Sequence, residues 1–180
     1  MPEKVTIASD WLAGCAGCHM SLLDMDERLA RLLEVASLHA TPITDLKQPP
    51  PSGVDVGILE GAVNNTAGEE VARRMRQRCR ILVALGDCAV FGGVPTLRNG
   101  FSCEEALRRA YLETESTAEG RIPDDPELAR MKPAKPLGEV VDVDVYVPGC
   151  PPSPDVIFHV LSELAAGRKP DLTGKNLDWH

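Results

Sequence analysis

Ile81-Leu82-Val83-Ala84-Leu85-Gly86-Asp87-Cys88-Ala89-Val90-Phe91-Gly92-Gly93 reads as a fully apolar strand running into a loop of three glycines and one cysteine. Glycine permits the tight backbone turns such a loop needs. Upstream, Val5 to Ala8 is a short β-prone run, and from Cys18 onward Met20, Leu22, Leu23, Met25, Leu29, Leu32, Leu33 and Ala36 recur at helical spacing. Val54 to Leu59 predicts a second strand ending at Glu60-Gly61. Thr66 with Glu69 three residues on then predicts a capping box that opens a helix through Cys79.

Downstream, Ser102 with Glu105 predicts another capping box and a helix to about Glu115. Prolines and charges dominate from Ser116 to Gly138, so an irregular surface excursion is expected over about 116–139. Val140 to Val147 reads as the last strand. It is broken by Pro148-Gly149-Cys150-Pro151-Pro152, after which Ser153 and Pro154 open a final helix ending near Gly167.

Strands alternating with helices predict an α/β fold, a doubly wound parallel sheet of flavodoxin-like order, in a single domain spanning 1–180. In such sheets the loops leaving the carboxyl ends of the strands gather on one rim, where ligands bind. Cys15, Cys18, Cys88 and Cys150 all fall in loops of that kind, and Glu60 ends a strand at the same rim.

Composition narrows the classes. The 180 residues suffice to bury a sizeable core without disulfide staples, and a hydrophobic fraction of 43% with 26% charged residues is that of a globular chain. A net charge of −8 argues against nucleic acid as partner. The N-terminus lacks a basic start followed by an apolar stretch, and no apolar run approaches the ~20 residues of a membrane helix. A cytoplasmic setting without membrane contact is expected, where clustered thiols more often hold metal than form disulfides.

Four thiolates match the ligand count of an iron-sulfur cubane, and backbone N–H groups of glycine-rich turns can donate to its sulfurs. Alternative readings are inert buried cysteines, a structural zinc site, and covalent haem at Cys15-Ala16-Gly17-Cys18-His19. Cysteines in glycine and proline loops count against the first, and a lone Cys-x-x-Cys pair counts against the second. Haem would leave Cys88 and Cys150 without a role, so His19 is expected near a cluster rather than on an iron.

Four ordered motifs resemble the small subunits of nickel-iron hydrogenases, within them the cytoplasmic NAD-reducing branch. They are Trp11-Leu12-Ala13-Gly14-Cys15-Ala16-Gly17-Cys18-His19-Met20-Ser21-Leu22-Leu23-Asp24, Leu59-Glu60-Gly61-Ala62-Val63, Gly86-Asp87-Cys88-Ala89-Val90-Phe91-Gly92-Gly93 and Pro148-Gly149-Cys150-Pro151-Pro152. The resemblance implies that Cys15, Cys18, Cys88 and Cys150 ligate one [4Fe-4S] cluster at the carboxyl-end rim, with Glu60 and His19 beside it. It implies electron relay between a nickel-iron large subunit and diaphorase subunits carrying FMN and iron-sulfur clusters. It implies that hydrogen activation, nickel and NAD belong to those partners; FMN is not expected on this chain, because the first loop, where its phosphate would need hydroxyls and amides, is taken by Trp11, Cys15 and Cys18. The related quinone reductase subunits, similar to the complex I 20 kDa subunit, carry adjacent cysteines in the first loop, whereas Cys15 and Cys18 are two residues apart. From another class, a zinc-stabilised interaction module is the competing reading.

Cys79 and Cys103 are too few for a second all-thiolate cubane and are expected to pack. Arg73, Arg74, Arg76, Arg78 and Arg80 form a basic run expected to be a solvated helix face rather than a docking surface. His39, His159 and His180 are isolated and carry no assignment.

Overall fold

The computed structural model describes residues 4–174, so His180 lies outside the described residues. Five parallel strands form the main sheet: β1 (Val5–Trp11), β2 (Ala36–Ala40), β3 (Val54–Glu60), β5 (Cys79–Leu85) and β7 (Val145–Val147). Their spatial order is β2-β1-β3-β5-β7, the flavodoxin-like order 2-1-3-4-5. β4 (Val63–Asn65) and β6 (Met131–Lys135) pair antiparallel as a separate ribbon.

Helices cover both faces of the sheet, and the strands alternate between two apolar cores as a doubly covered sheet requires. Ile7, Ile58, Val83, Leu85 and Val147 point to one face. There α1 (Gly17–Leu23), α2 (Glu27–Val35) and α6 (Pro154–Ala165) pack through Leu22, Leu32, Ile157 and Val160. Ala8, Leu59, Leu82 and Ala84 point to the other, against Ala72 and Met75 of α3 (Thr66–Arg78) and Ala89 of α4 (Asp87–Phe91). Each large aliphatic side chain buried this way contributes roughly 1.5–3 kcal/mol.

Two carboxylates staple strands edgewise. Asp55 Oδ2 accepts both the N–H and the hydroxyl of Thr6 at 2.9 Å, joining β3 to β1. Asp144 Oδ2 accepts the Leu82 N–H at 2.7 Å, joining the approach to β7 with β5. The arginine run is absorbed in similar contacts: Arg73 pairs with Glu69, Arg76 with Asp144, and Arg80 with Asp55, while Arg78 donates to the Pro49 carbonyl. Arg73 and Arg80 are exposed, and Arg74, Arg76 and Arg78 are half-buried.

Several local readings change. The expected long first helix is two, because the chain breaks at Asp24-Met25-Asp26, where Met25 turns fully into the core and Asp26 takes φ 51°. Ala36 starts β2 instead of ending a helix. The cap of α3 is Asn65, whose Oδ1 accepts from Gly68 N–H at 2.7 Å, while Glu69 is drawn off to Arg73 and Lys132. The capping box of Ser102 and Glu105 forms as expected, but its helix α5 (Cys103–Tyr111) stops at Tyr111. The last strand is only Val145–Val147, preceded by a 3-10 turn at Leu137–Glu139. Within the stretch expected to be irregular, Met131–Lys135 forms β6. No helix of the described residues is long and apolar enough to cross a membrane.

Candidate metal centre

Cys15, Cys88 and Cys150 line one cavity of about 550 Å³ at the carboxyl ends of the main-sheet strands, together with Ala13, Gly14, Asn64, Val94, Pro95 and Arg98. Cys18 is the remaining member. Its thiol is held well above the ordinary value, first by burial and then by the Glu60 carboxylate and the thiols of Cys88 and Cys15. Burial likewise raises Cys88, with Cys150 and Cys15 adding to it. The four thiols therefore share one electrostatic neighbourhood although three separate segments deliver them.

Local structure explains the delivery. Two of the four stand in helices rather than loops, Cys18 in the first turn of α1 and Cys88 in the first turn of α4. Cys15 lies in the irregular segment after β1 and receives the Gly17 N–H at 3.3 Å. That segment is tied down by reciprocal bonds between Ala13 and Ala62, at 2.9 and 2.8 Å. The segments of Cys88 and Cys150 clasp each other: Asp87 N–H donates to the Gly149 carbonyl at 2.8 Å and Gly149 N–H to Asp87 Oδ1 at 2.7 Å. Ser21 completes the closure by donating from α1 to the Pro152 carbonyl at 2.6 Å.

Two glycines leave room for sulfur. Gly86 has φ +84°, and a Cβ there would stand 2.2 Å from Cys18 Sγ; Gly93 has φ +47°, and its Cβ would stand 2.9 Å from Cys88 Sγ. Any side chain at either position would occupy the space of a thiol.

Glu60 and His19 form a buried pair beneath Cys18, at 2% and 1% exposure. Glu60 Oε2 accepts the His19 backbone N–H at 2.8 Å and lies 3.1 Å from His19 Nδ1, and His19 Nε2 meets Ser9 Oγ at 3.0 Å. The Trp11 ring packs edge-on against His19 at 5.6 Å between centroids. Cys79 is buried at the start of β5 and Cys103 opens α5, neither of them lining the cavity. His39 and His159 make their own local contacts, with Ser37 and the Asp171 carbonyl.

Sequence reasoning missed Asp87, Ser21 and Ser9. Asp87 stood between a turn glycine and a candidate ligand, and only the pairing of two strand ends reveals it as a clasp. Ser9 and Ser21 carried no local signal.

The donor set fits an iron-sulfur centre in kind: four soft sulfur donors, backbone N–H groups nearby, and a cavity rather than a point. Among the described residues, no group of three or more His, Cys, Asp or Glu side chains closes around a position suited to a single metal ion.

The family model described as NADH ubiquinone oxidoreductase, 20 Kd subunit, matches residues 15–164. The delta subunit of the NAD-reducing hydrogenase HoxS of Cupriavidus necator is 40% identical over 173 residues, covering 94% of this chain and 82% of that protein. A subunit of the F420-non-reducing hydrogenase of Methanothermobacter marburgensis is 38% identical over 180 residues, covering 98% of this chain. The chain spans only 58% of the length of that archaeal relative. A crystal structure of an NAD+-reducing [NiFe]-hydrogenase in the H2-reduced state contains a chain that superimposes with a TM-score of 0.93 at 40% identity, covering 99% of this chain and all of that one.

Proposed function

The chain belongs to the NADH ubiquinone oxidoreductase 20 Kd subunit family, and we propose that it is the electron-relaying small subunit of a cytoplasmic, NAD-reducing nickel-iron hydrogenase. As a complex, that enzyme interconverts hydrogen and NAD+ with protons and NADH. The observation that carries the reading is the cavity shared by Cys15, Cys88 and Cys150, with Cys18 coupled to it. The likeness at 40% identity to the delta subunit of an NAD-reducing hydrogenase supports it.

Cys15, Cys18, Cys88 and Cys150 would hold one [4Fe-4S] cluster, which supplies reversible one-electron storage. The chain 1–180 acts as a single binding domain for it. Its own residues then have definable tasks. Asp87 and Ser21 fix the relative positions of the segments bearing Cys18, Cys88 and Cys150. Glu60 anchors the turn that carries Cys18 by accepting the His19 N–H, and the Trp11, His19 and Ser9 side chains close the space behind it.

A relay with one centre must hand electrons to neighbouring proteins. Phe91, Val94, Leu97 and Phe101 are 62–75% exposed along the segment that rims the cavity. An apolar strip of this kind fits a partner subunit rather than water. The large subunit carrying nickel and iron, and diaphorase subunits carrying FMN, iron-sulfur clusters and the NAD site, are the assigned partners. Hydrogen activation belongs to the large subunit.

The test is anaerobic purification of the chain with its companions, followed by iron, acid-labile sulfide and zinc determination. Iron and sulfide in equal amounts, four of each per chain, are expected for one cubane. Zinc without sulfide overturns the cluster. Quinone-reductase companions in place of a nickel-iron subunit overturn the hydrogenase assignment, an outcome the family model's description makes worth distinguishing.

A further inference from the structure

Arg98 is the one charged side chain lining the cavity that Cys15, Cys88 and Cys150 share, among the described residues. It sits in the 3-10 helix Val94–Gly100, at the cavity wall of a chain whose net charge is −8. Its guanidinium is held from outside the cavity: Nη2 donates to the Lys132 carbonyl and Nη1 to Cys103 Sγ at 3.6 Å. The neighbouring Asn99 locks the same helix to β6 through two 2.8 Å bonds with the Ala134 backbone. These contacts fix where the cation stands without neutralising it.

Three arginines of the basic run show the contrast. Arg73, Arg76 and Arg80 each face a carboxylate, whereas both acceptors of Arg98 are a carbonyl oxygen and a sulfur. Among the described residues no carboxylate lies within ion-pair distance of Arg98. A fixed positive charge with no carboxylate partner, on the wall of a cavity lined by thiols, favours whichever state of the centre is more negative.

We infer that Arg98 is a potential-setting residue for the cluster proposed above: its fixed positive charge stabilises the reduced form and so raises the midpoint potential. This inference rests on the cluster assignment. One-electron reduction adds one negative charge to a centre held by four thiolates and moves no atom, so the attraction to Arg98 grows on reduction. β6, which the sequence did not reveal, provides the carbonyl that aims the guanidinium.

The experiment is a dithionite titration of the anaerobically purified full chain, followed by electron paramagnetic resonance, with iron and sulfide measured on each sample. Arg98→Gln is expected to titrate at a lower potential than the wild type. Arg98→Lys, which keeps the charge, should stay close to it. Val94→Lys, which adds a cation to the same wall at an exposed position, should shift the midpoint upward and serves equally if Arg98→Gln does not fold. A loaded Arg98→Gln or Val94→Lys chain with an unmoved midpoint overturns the inference, as does an Arg98→Lys midpoint as low as that of Arg98→Gln. Wild-type chain carrying neither iron nor sulfide overturns the cluster assignment itself, a result separable from the others by analysis alone.

Discussion

Glu60 accepts the backbone N–H of His19 at 2.8 Å through Oε2, while Oε1 has no hydrogen-bond partner among the described residues. A strand end thus holds the first turn of α1 from below, on the residue next to Cys18. Truncation by Glu60→Ala leaves a buried N–H without an acceptor and opens a void, which should cost about 1–3 kcal/mol. Glu60→Gln retains an acceptor for that N–H and should cost less than half as much. Urea unfolding of the full chain measures both. Equal stability of Glu60→Ala and wild type would show that the bond anchors nothing.

Gly86 provides the sharpest steric test. A methyl group at its Cβ position would lie 2.2 Å from Cys18 Sγ, and the backbone there has φ +84°. Gly86→Ala must therefore push the thiol aside or shift the strand end, with a backbone penalty of about 1–3 kcal/mol. The expected outcome is a lowered melting temperature together with a loss of most bound iron. A Gly100→Ala control, where an added Cβ meets nothing within 4 Å, should leave iron content unchanged.

The legible part of this molecule was what repeats or what carries chemistry. The apolar run at Ile81 to Leu85 lies within β5, flanked by partners on both sides, and its carboxyl end does open onto the rim shared by the cysteine-bearing segments. Ser153 caps α6 as its proline neighbour announced. What the sequence concealed depends on partners distant along the chain. Ala36–Ala40 has too few residues and too mixed a pattern to announce β2, which exists because β1 pairs with it. Met131–Lys135 contains a proline, which favours a sheet edge, and it forms β6 because β4 lies across from it. Asp144 shortens β7, since its side chain is committed to the Leu82 N–H. For the candidate centre, the cysteines stood out as residue types in unusual surroundings, but the Asp87 clasp and the place of Arg98 required three dimensions.

Asp144 predicts a pH dependence. Burial raises its carboxyl, yet the Leu82 N–H and the Arg76 guanidinium at 2.5 Å outweigh that and leave it below the ordinary value of 3.8. A carboxyl depressed on folding stabilises the native state fully above its unfolded pKa, and the contribution disappears as pH falls through the lower folded value. Stability of the wild type should therefore drop more steeply than that of Asp144→Asn between about pH 5 and pH 2, while the variant is the less stable of the two at pH 7. Urea midpoints across that range decide it. Parallel curves would mean the carboxylate contributes no more than the amide.

The cysteines themselves divide by position. Cys88 stands on the cavity wall at the start of α4 and Cys150 beyond the end of β7, whereas Cys79 is buried between β5 and α3 and Cys103 lies outside the cavity beside Arg98. Removing one sulfur donor from the four-donor set proposed above leaves an open coordination position that an alkoxide fills poorly, so Cys88→Ser and Cys150→Ser should lose most of the iron and sulfide. In the NAD-reducing hydrogenase proposed above, either variant should abolish hydrogen-dependent NAD+ reduction while nickel in the large subunit is still present. Cys79→Ser places a hydroxyl in a buried site, which should cost about 1–3 kcal/mol of stability yet leave the metal in place. Iron, sulfide and nickel analysis beside an activity assay separates the two groups. Full iron retention by Cys88→Ser, or its loss from Cys79→Ser, would mean that the centre is held by a different set of sulfurs.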